Sequence, residues 1–274
     1  MTKRVAIAGF GAIGKVLGRR LTDGSMPAVS DHFELVVIGA RDVARTRAAV
    51  AATLTRMVPV VASTELAGKA DILLECVPTP AFRSVVEPAL AAGMTVITVS
   101  GAALLEHMDL EAVARKGGGQ LILATGAIVG LDAIRAARLG RIDSVTMVTR
   151  KPPRSLATAK QVVEDGRDLM ALTAPELLFK GTAREGARRF PANVNVAAAI
   201  ALAGIGADRT QLEIWTDPGV ERNTHRVIVE ADTARIEVAI ANVPSDDNPG
   251  TGRITALSML AALERLASPL VIGS

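Results

Sequence analysis

Tyrosine is absent from this 274-residue chain, tryptophan occurs once and phenylalanine five times. So few rings leave little to stack on bases, and a formal charge of +3, with acids and bases interspersed, calls for no polyanionic partner. Nucleic acid is therefore not expected as a ligand. The single cysteine, Cys76, rules out an internal disulfide and any cysteine-based zinc cluster. Three scattered histidines, His32, His107 and His225, lack metal-ligand spacing, so no metal cofactor is expected. The sequence has no apolar stretch of about 18 residues and no charged leader before its first apolar run, which gives a cytoplasmic expectation with no membrane partner.

What the chain does have is apolar content, 49%, enough to bury a large core in a nucleotide-binding domain plus one smaller partner. Residues 5–14 read V-A-I-A-G-F-G-A-I-G, a short strand running into Gly9-x-Gly11-x-x-Gly14 with helical spacing after it. In that setting each glycine has its own task. Gly9 permits the tight turn, Gly11 lets backbone approach a pyrophosphate, and Gly14 lets helix and strand pack closely. Ala12 and Ile13 lie inside the same turn. The diphosphate of a bound dinucleotide would then face the free N–H groups and positive end of the helix.

Alternating strand and helix patterns fill the first 125 residues, with strands expected at 5–8, 34–39, 72–75, 95–98 and 121–124. Helical spacing lies between them at 15–21, 43–55, 81–92 and 110–116. This is an α/β, Rossmann-like, doubly wound parallel sheet. Residues 126–245 form a second α+β domain, with strands at 144–149, 211–217, 225–230 and 234–241 in a mostly antiparallel sheet and a small-residue helix at 192–202. A terminal helix within 246–274 is expected to pack back on the first domain.

Several residues near the expected crevice have two readings each. Arg41 stands where an acid usually meets the adenosine ribose, so its guanidinium can hold a 2′-phosphate or cover the adenine, admitting NADP beside NAD. Alternatively Arg41 is a solvated loop residue and Asp42 the N-cap of the next helix. Pro78, after the third core strand, can border the cofactor. Cys76 beside it has apolar neighbours and Glu75, which raise a thiol pKa and argue against a nucleophile. Gly126, Ala127, Ile128 and Gly130 would admit a nicotinamide ring to the backbone, or simply begin a helix. His225, at the start of a strand, is suited to moving protons in an oxidation, although a lone histidine there is more often structural.

Six blocks together resemble the L-aspartate dehydrogenase family nearly end to end: G-F-G-A-I-G at 9–14, T-G-A-I-V-G-L-D-A at 125–133, T-R-K-P-P at 149–153, F-P-A-N-V-N-V-A-A-A at 190–199, R-N-T-H-R at 222–226 and N-V-P-S-D-D-N-P at 242–249. The resemblance implies NAD(P)-dependent oxidation of L-aspartate to iminoaspartate, then oxaloacetate and ammonia. It further implies that His225 is the catalytic acid/base and that Ala127 and Asn195, with Asn193 a close rival, contact the nicotinamide end. Lys151, Arg222 and Arg226 are the cations available to the substrate carboxylates, unranked. Thr125 and Gly250 depart from the serine and lysine that family members often carry. A related imine or dicarboxylate oxidoreductase and a non-catalytic dinucleotide sensor are the alternatives. The direction of the reaction, including supply of iminoaspartate to nicotinamide-ring biosynthesis, is open, and a homodimer is expected from base rates alone.

Overall fold

The computed structural model describes residues 2–190, 194–245, 247–248 and 250–273. It divides into two compact units, residues 1–124 with 255–272, and residues 125–254 with 273–274.

In the first unit the chain runs β1 (Lys3–Ala8), α1 (Ala12–Thr22), α2 (Pro27–Ser30), β2 (Phe33–Ala40), α3 (Val43–Thr53), β3 (Val60–Ala62), β4 (Ile72–Glu75), α4 (Phe82–Ala91), β5 (Thr95–Thr98), α5 (Gly101–Glu106), α6 (Leu110–Gly117) and β6 (Gln120–Leu123). All six strands are parallel, in the order β3-β2-β1-β4-β5-β6. The expected Rossmann-like sheet is therefore present. Its central strands are apolar on both faces, as in Val5–Ala8 and Ile72–Leu74, because helices cover both sides. The order reverses between β1 and β4, so the loops leaving those two strands open the crevice where such sheets take ligands.

The second unit continues with α7 (Leu131–Ala137), β7 (Ile142–Lys151), α8 (Lys160–Glu164), β8 (Glu176–Thr182), α9 (Ala183–Arg189), α10 (Asn195–Ala203), β9 (Gln211–Thr216), β10 (Thr224–Ala231) and β11 (Arg235–Ala241). Its sheet has the order β11-β10-β7-β9-β8 and is antiparallel throughout except for β7 with β9. Alternation is clean on β7, where Val145, Met147, Thr149 and Lys151 turn inward. On β10 the inward set is His225, Val227 and Val229. The helix read at 192–202 is observed as Asn195–Ala203, and Pro191, Ala192 and Asn193 lie outside the described residues. A last helix, α11 (Ile254–Arg265), buries Ala256, Met259, Leu260 and Leu263 in one apolar cluster with Val5, Ile7, Leu17 and Leu35 of the first unit.

Candidate active site

The glycine turn has the geometry that a dinucleotide cradle needs. Gly9 adopts φ +90°, and a Cβ there would fall 2.6 Å from the Cys76 carbonyl oxygen. At Gly14 a Cβ would sit 2.1 Å from the Gly9 oxygen, so both close packings require glycine. Gly11 is different: a Cβ there meets nothing within 4 Å, and the open space lies at the N-cap of α1. Among the described residues no side chain caps that end, and no acid stands in its first turn, which leaves the N–H groups around Ala12 and Ile13 and the positive helix end open to an anion. These residues fit a diphosphate-bearing cofactor.

Further along the same sheet end, Glu75 ties the β4 and β5 termini together. Its buried carboxylate accepts from Thr98 Oγ1 at 2.5 Å and from the Val77 N–H at 2.8 Å, while Thr98 Oγ1 accepts from the Ser100 N–H at 2.9 Å. Burial raises the Glu75 pKa against the lowering effect of those bonds. Burial, with Glu75 adding to it, also pushes the Cys76 thiol well up, so Cys76 is unsuited to nucleophilic work. Pro78 is exposed at the start of the short turn after β4. Arg41 is exposed one residue beyond β2. Asp42 caps α3, accepting from the Arg45 N–H at 3.0 Å.

In the second unit the inward sheet face carries a polar row at the end of an otherwise apolar surface. His225 pairs with Thr149 across the β10–β7 ladder, and His225 Nδ1 lies 2.8 Å from Thr149 Oγ1. One step further along that face stand Asn223 and Lys151. Lys151 pairs with Thr216 on β9, and the Asn242 N–H donates to the Asn223 carbonyl at 2.9 Å, which extends the row to the end of β11. All of these side chains are buried: Lys151 is 4% exposed, His225 5%, Asn223 6% and Asn242 4%. The desolvated ammonium of Lys151 has its pKa lowered to about 8. Burial first, and Lys151 second, bring His225 down to about 3, so its imidazole is neutral across the physiological range.

Among the described residues, three buried side-chain oxygens have no hydrogen-bond partner: Thr216 Oγ1, Asn223 Oδ1 and Asn242 Oδ1. All three belong to this row. An unsatisfied buried polar group costs about 1–3 kcal/mol, so their concentration beside a neutral histidine and a buried lysine marks a surface built for a polar ligand.

Ala127 is drawn to the row, its carbonyl accepting from Asn242 Nδ2 at 3.1 Å. Gly130, at φ +81°, is the N-cap of α7, so the glycine block does begin a helix. Asn195 is exposed on the first turn of α10. The three cations left unranked by sequence now separate. Arg226 points to the opposite face of β10 and is engaged by Glu237, with Nε at 2.8 Å, and Arg222 is exposed, whereas Lys151 alone of the three joins His225. Thr149, Thr216, Asn223 and Asn242 escaped the sequence reading. The alternation through Val145 and Met147, and through Val227 back to Asn223, was the available signal for two of them.

Residues 9–124 match the family model for the homoserine dehydrogenase NAD binding domain, and residues 132–266 match that for the aspartate dehydrogenase C-terminal domain. A relative from Bordetella bronchiseptica, L-aspartate dehydrogenase 3, is 48% identical over 98% of this chain and 97% of its own length. The chain belongs to the L-aspartate dehydrogenase family. A further L-aspartate dehydrogenase, from Bradyrhizobium diazoefficiens, is 45% identical over 99% of this chain and 94% of its own. Among solved structures, aspartate dehydrogenase from Thermotoga maritima aligns over the whole of both chains with a TM-score of 0.72 at 21% identity. A hyperthermophilic archaeal homoserine dehydrogenase aligns at 0.59 and 13% over 99% of this chain and all of its own. These two share the fold of this L-aspartate dehydrogenase family member.

Proposed function

We propose that the protein oxidises L-aspartate with a nicotinamide dinucleotide, and that the buried His225 of the polar row manages the protons. The observation that carries this reading is the neutral imidazole of His225 set beside the buried cation of Lys151, in a chain of this family. When bound, the dinucleotide supplies a two-electron acceptor at nicotinamide C4 for the hydride on the substrate Cα. The N–H groups at the start of α1, with Gly9, Gly11, Ala12, Ile13 and Gly14, hold the diphosphate. Ala127 and Asn195 serve the nicotinamide end, as the family resemblance implies, and Pro78 borders the cofactor. With Arg41 rather than an acid following β2, both NAD and NADP are accepted.

Thr149 Oγ1 also lies 3.4 Å from the Thr224 carbonyl, which can only accept. A hydroxyl that donates its proton there receives Nδ1–H from His225, leaving Nε2 bare as the proton acceptor. Nε2 takes a proton from the substrate ammonium, which frees the nitrogen lone pair to form the C=N bond as hydride leaves Cα. Lys151 holds a substrate carboxylate, and that negative charge offsets the field of Lys151 and raises the proton affinity of His225 once substrate is in place. Water then adds to the C=N carbon and ammonia departs, leaving oxaloacetate.

The test is absorbance at the reduced-nicotinamide band with L-aspartate, D-aspartate, L-glutamate and L-malate, each with NAD and with NADP. A signal confined to L-aspartate is the expected result, with both dinucleotides active. Turnover of another acid in preference, or none with L-aspartate nor with oxaloacetate plus ammonia despite bound cofactor, overturns the reading.

A further inference from the structure

The buried acceptors of the polar row are not used by proton transfer or by carboxylate binding. Asn242 is fixed in orientation, because its Nδ2 donates to the Ala127 carbonyl and its Oδ1 is thereby turned away from that bond. The backbone hydrogen bond from Asn242 to Asn223 continues the β10–β11 register one residue past Thr224 and Ala241, so the two backbones lie opposite one another about 5 Å apart with their side chains on the same face. Both Oδ1 atoms are buried without a partner, and an amide oxygen only accepts. Two adjacent buried acceptors repel a carboxylate and call for a group with several donors. Gly252 keeps one of them clear, since a Cβ at that position would stand 3.0 Å from Asn242 Oδ1.

We propose that Asn223 and Asn242 read the substrate's α-ammonium through their Oδ1 atoms and so determine that the protein takes an amino acid rather than the corresponding acid without the amine. The inference rests on the dehydrogenase reading and deepens it. The row divides by charge. Lys151 meets a carboxylate, and the two asparagine oxygens, on the far side of it from Thr216, meet the ammonium. His225 stands two residues along β10 from Asn223 on the same face, within reach of the proton that the ammonium must give up. A hydroxyl in place of the ammonium supplies one donor for two acceptors and leaves one buried oxygen unpaired.

The experiment is calorimetric binding of L-aspartate and of succinate, which has both carboxylates and no amine, to the full chain holding reduced dinucleotide, so that affinity is read without turnover. Wild type is expected to prefer L-aspartate. Asn223→Leu is expected to weaken L-aspartate by about 10-fold or more while succinate changes by less than about 3-fold, since a hydrogen bond to a charged group is lost. Gly252→Ala, which places a methyl against Asn242 Oδ1 and leaves both asparagines intact, is expected to act the same way and decides the question if Asn223→Leu does not fold. Equal weakening of both ligands, or no preference in wild type, overturns the proposal. Preference for L-aspartate without its turnover removes the dehydrogenase reading and leaves the ammonium site standing, whereas turnover with an unchanged preference in both variants does the reverse.

Discussion

His225 is held neutral by its surroundings, and that has a thermodynamic consequence at the scale of one residue. Its pKa falls from the ordinary 6.5 to about 3 in the folded chain. Between those values the unfolded chain binds one proton more than the folded one, so stability rises with pH and is lost as pH falls through that window. Above 6.5 the contribution is fully present. Replacing His225 by Asn removes the proton from the comparison. Urea melts between about pH 5 and 6 are expected to show wild type losing about 1 kcal/mol more than His225→Asn on acidification. Equal losses in the two proteins would place the acid sensitivity elsewhere. Lys151 follows the same sign, with its pKa lowered from 10.5 to about 8, but its window lies above neutrality and leaves this acid limb untouched.

At the scale of elements, the glycine turn separates folding from binding. A methyl on Gly14 collides with the Gly9 carbonyl at 2.1 Å, whereas one on Gly11 enters open space beside the free N–H groups of α1. Gly14→Ala is expected to lower the melting temperature markedly and cofactor affinity with it. Gly11→Ala is expected to melt within a degree or two of wild type yet bind dinucleotide about 10-fold more weakly, because the methyl occupies the space of the pyrophosphate. Fluorescence titration with reduced cofactor alongside thermal melts distinguishes the two, and tight binding by folded Gly11→Ala would refute the cradle.

Strands β4 and β5 coincide with their sequence readings because both are apolar runs ended by turn signals. The helix read at 15–21 begins instead at Ala12, since Gly14, a poor helix former, is kept inside it for close packing. Three-residue β3 is too short for any period, and β8, an edge strand with E-L-L-F-K-G-T, has no clean alternation. The strand read at 144–149 runs on to Lys151 because pairing with Thr216 continues through Arg150, which looks like loop in sequence. His225 was legible through its motif. Its neighbours Asn223, Asn242 and Thr216 meet only through register across four strands, which no local pattern carries.

At the scale of the molecule, the chain leaves its first unit at residue 124, builds the second, and returns with α11 to complete the core of the first. Met259, Leu260 and Leu263 are fully buried there. Leu263→Ala is expected to cost about 2–5 kcal/mol by chemical denaturation, the range for a deleted core leucine. A loss under about 1 kcal/mol would mean that α11 is an accessory rather than part of that core.

Turnover of L-aspartate by wild type and His225→Asn, with cofactor affinity and melting temperature measured on both, tests most directly whether the buried imidazole moves the protons. The expected result is a fall in kcat of about 100-fold or more with affinity and melting at neutral pH preserved, as for the loss of a positioned general base. Near-wild-type turnover by the folded variant would contradict it.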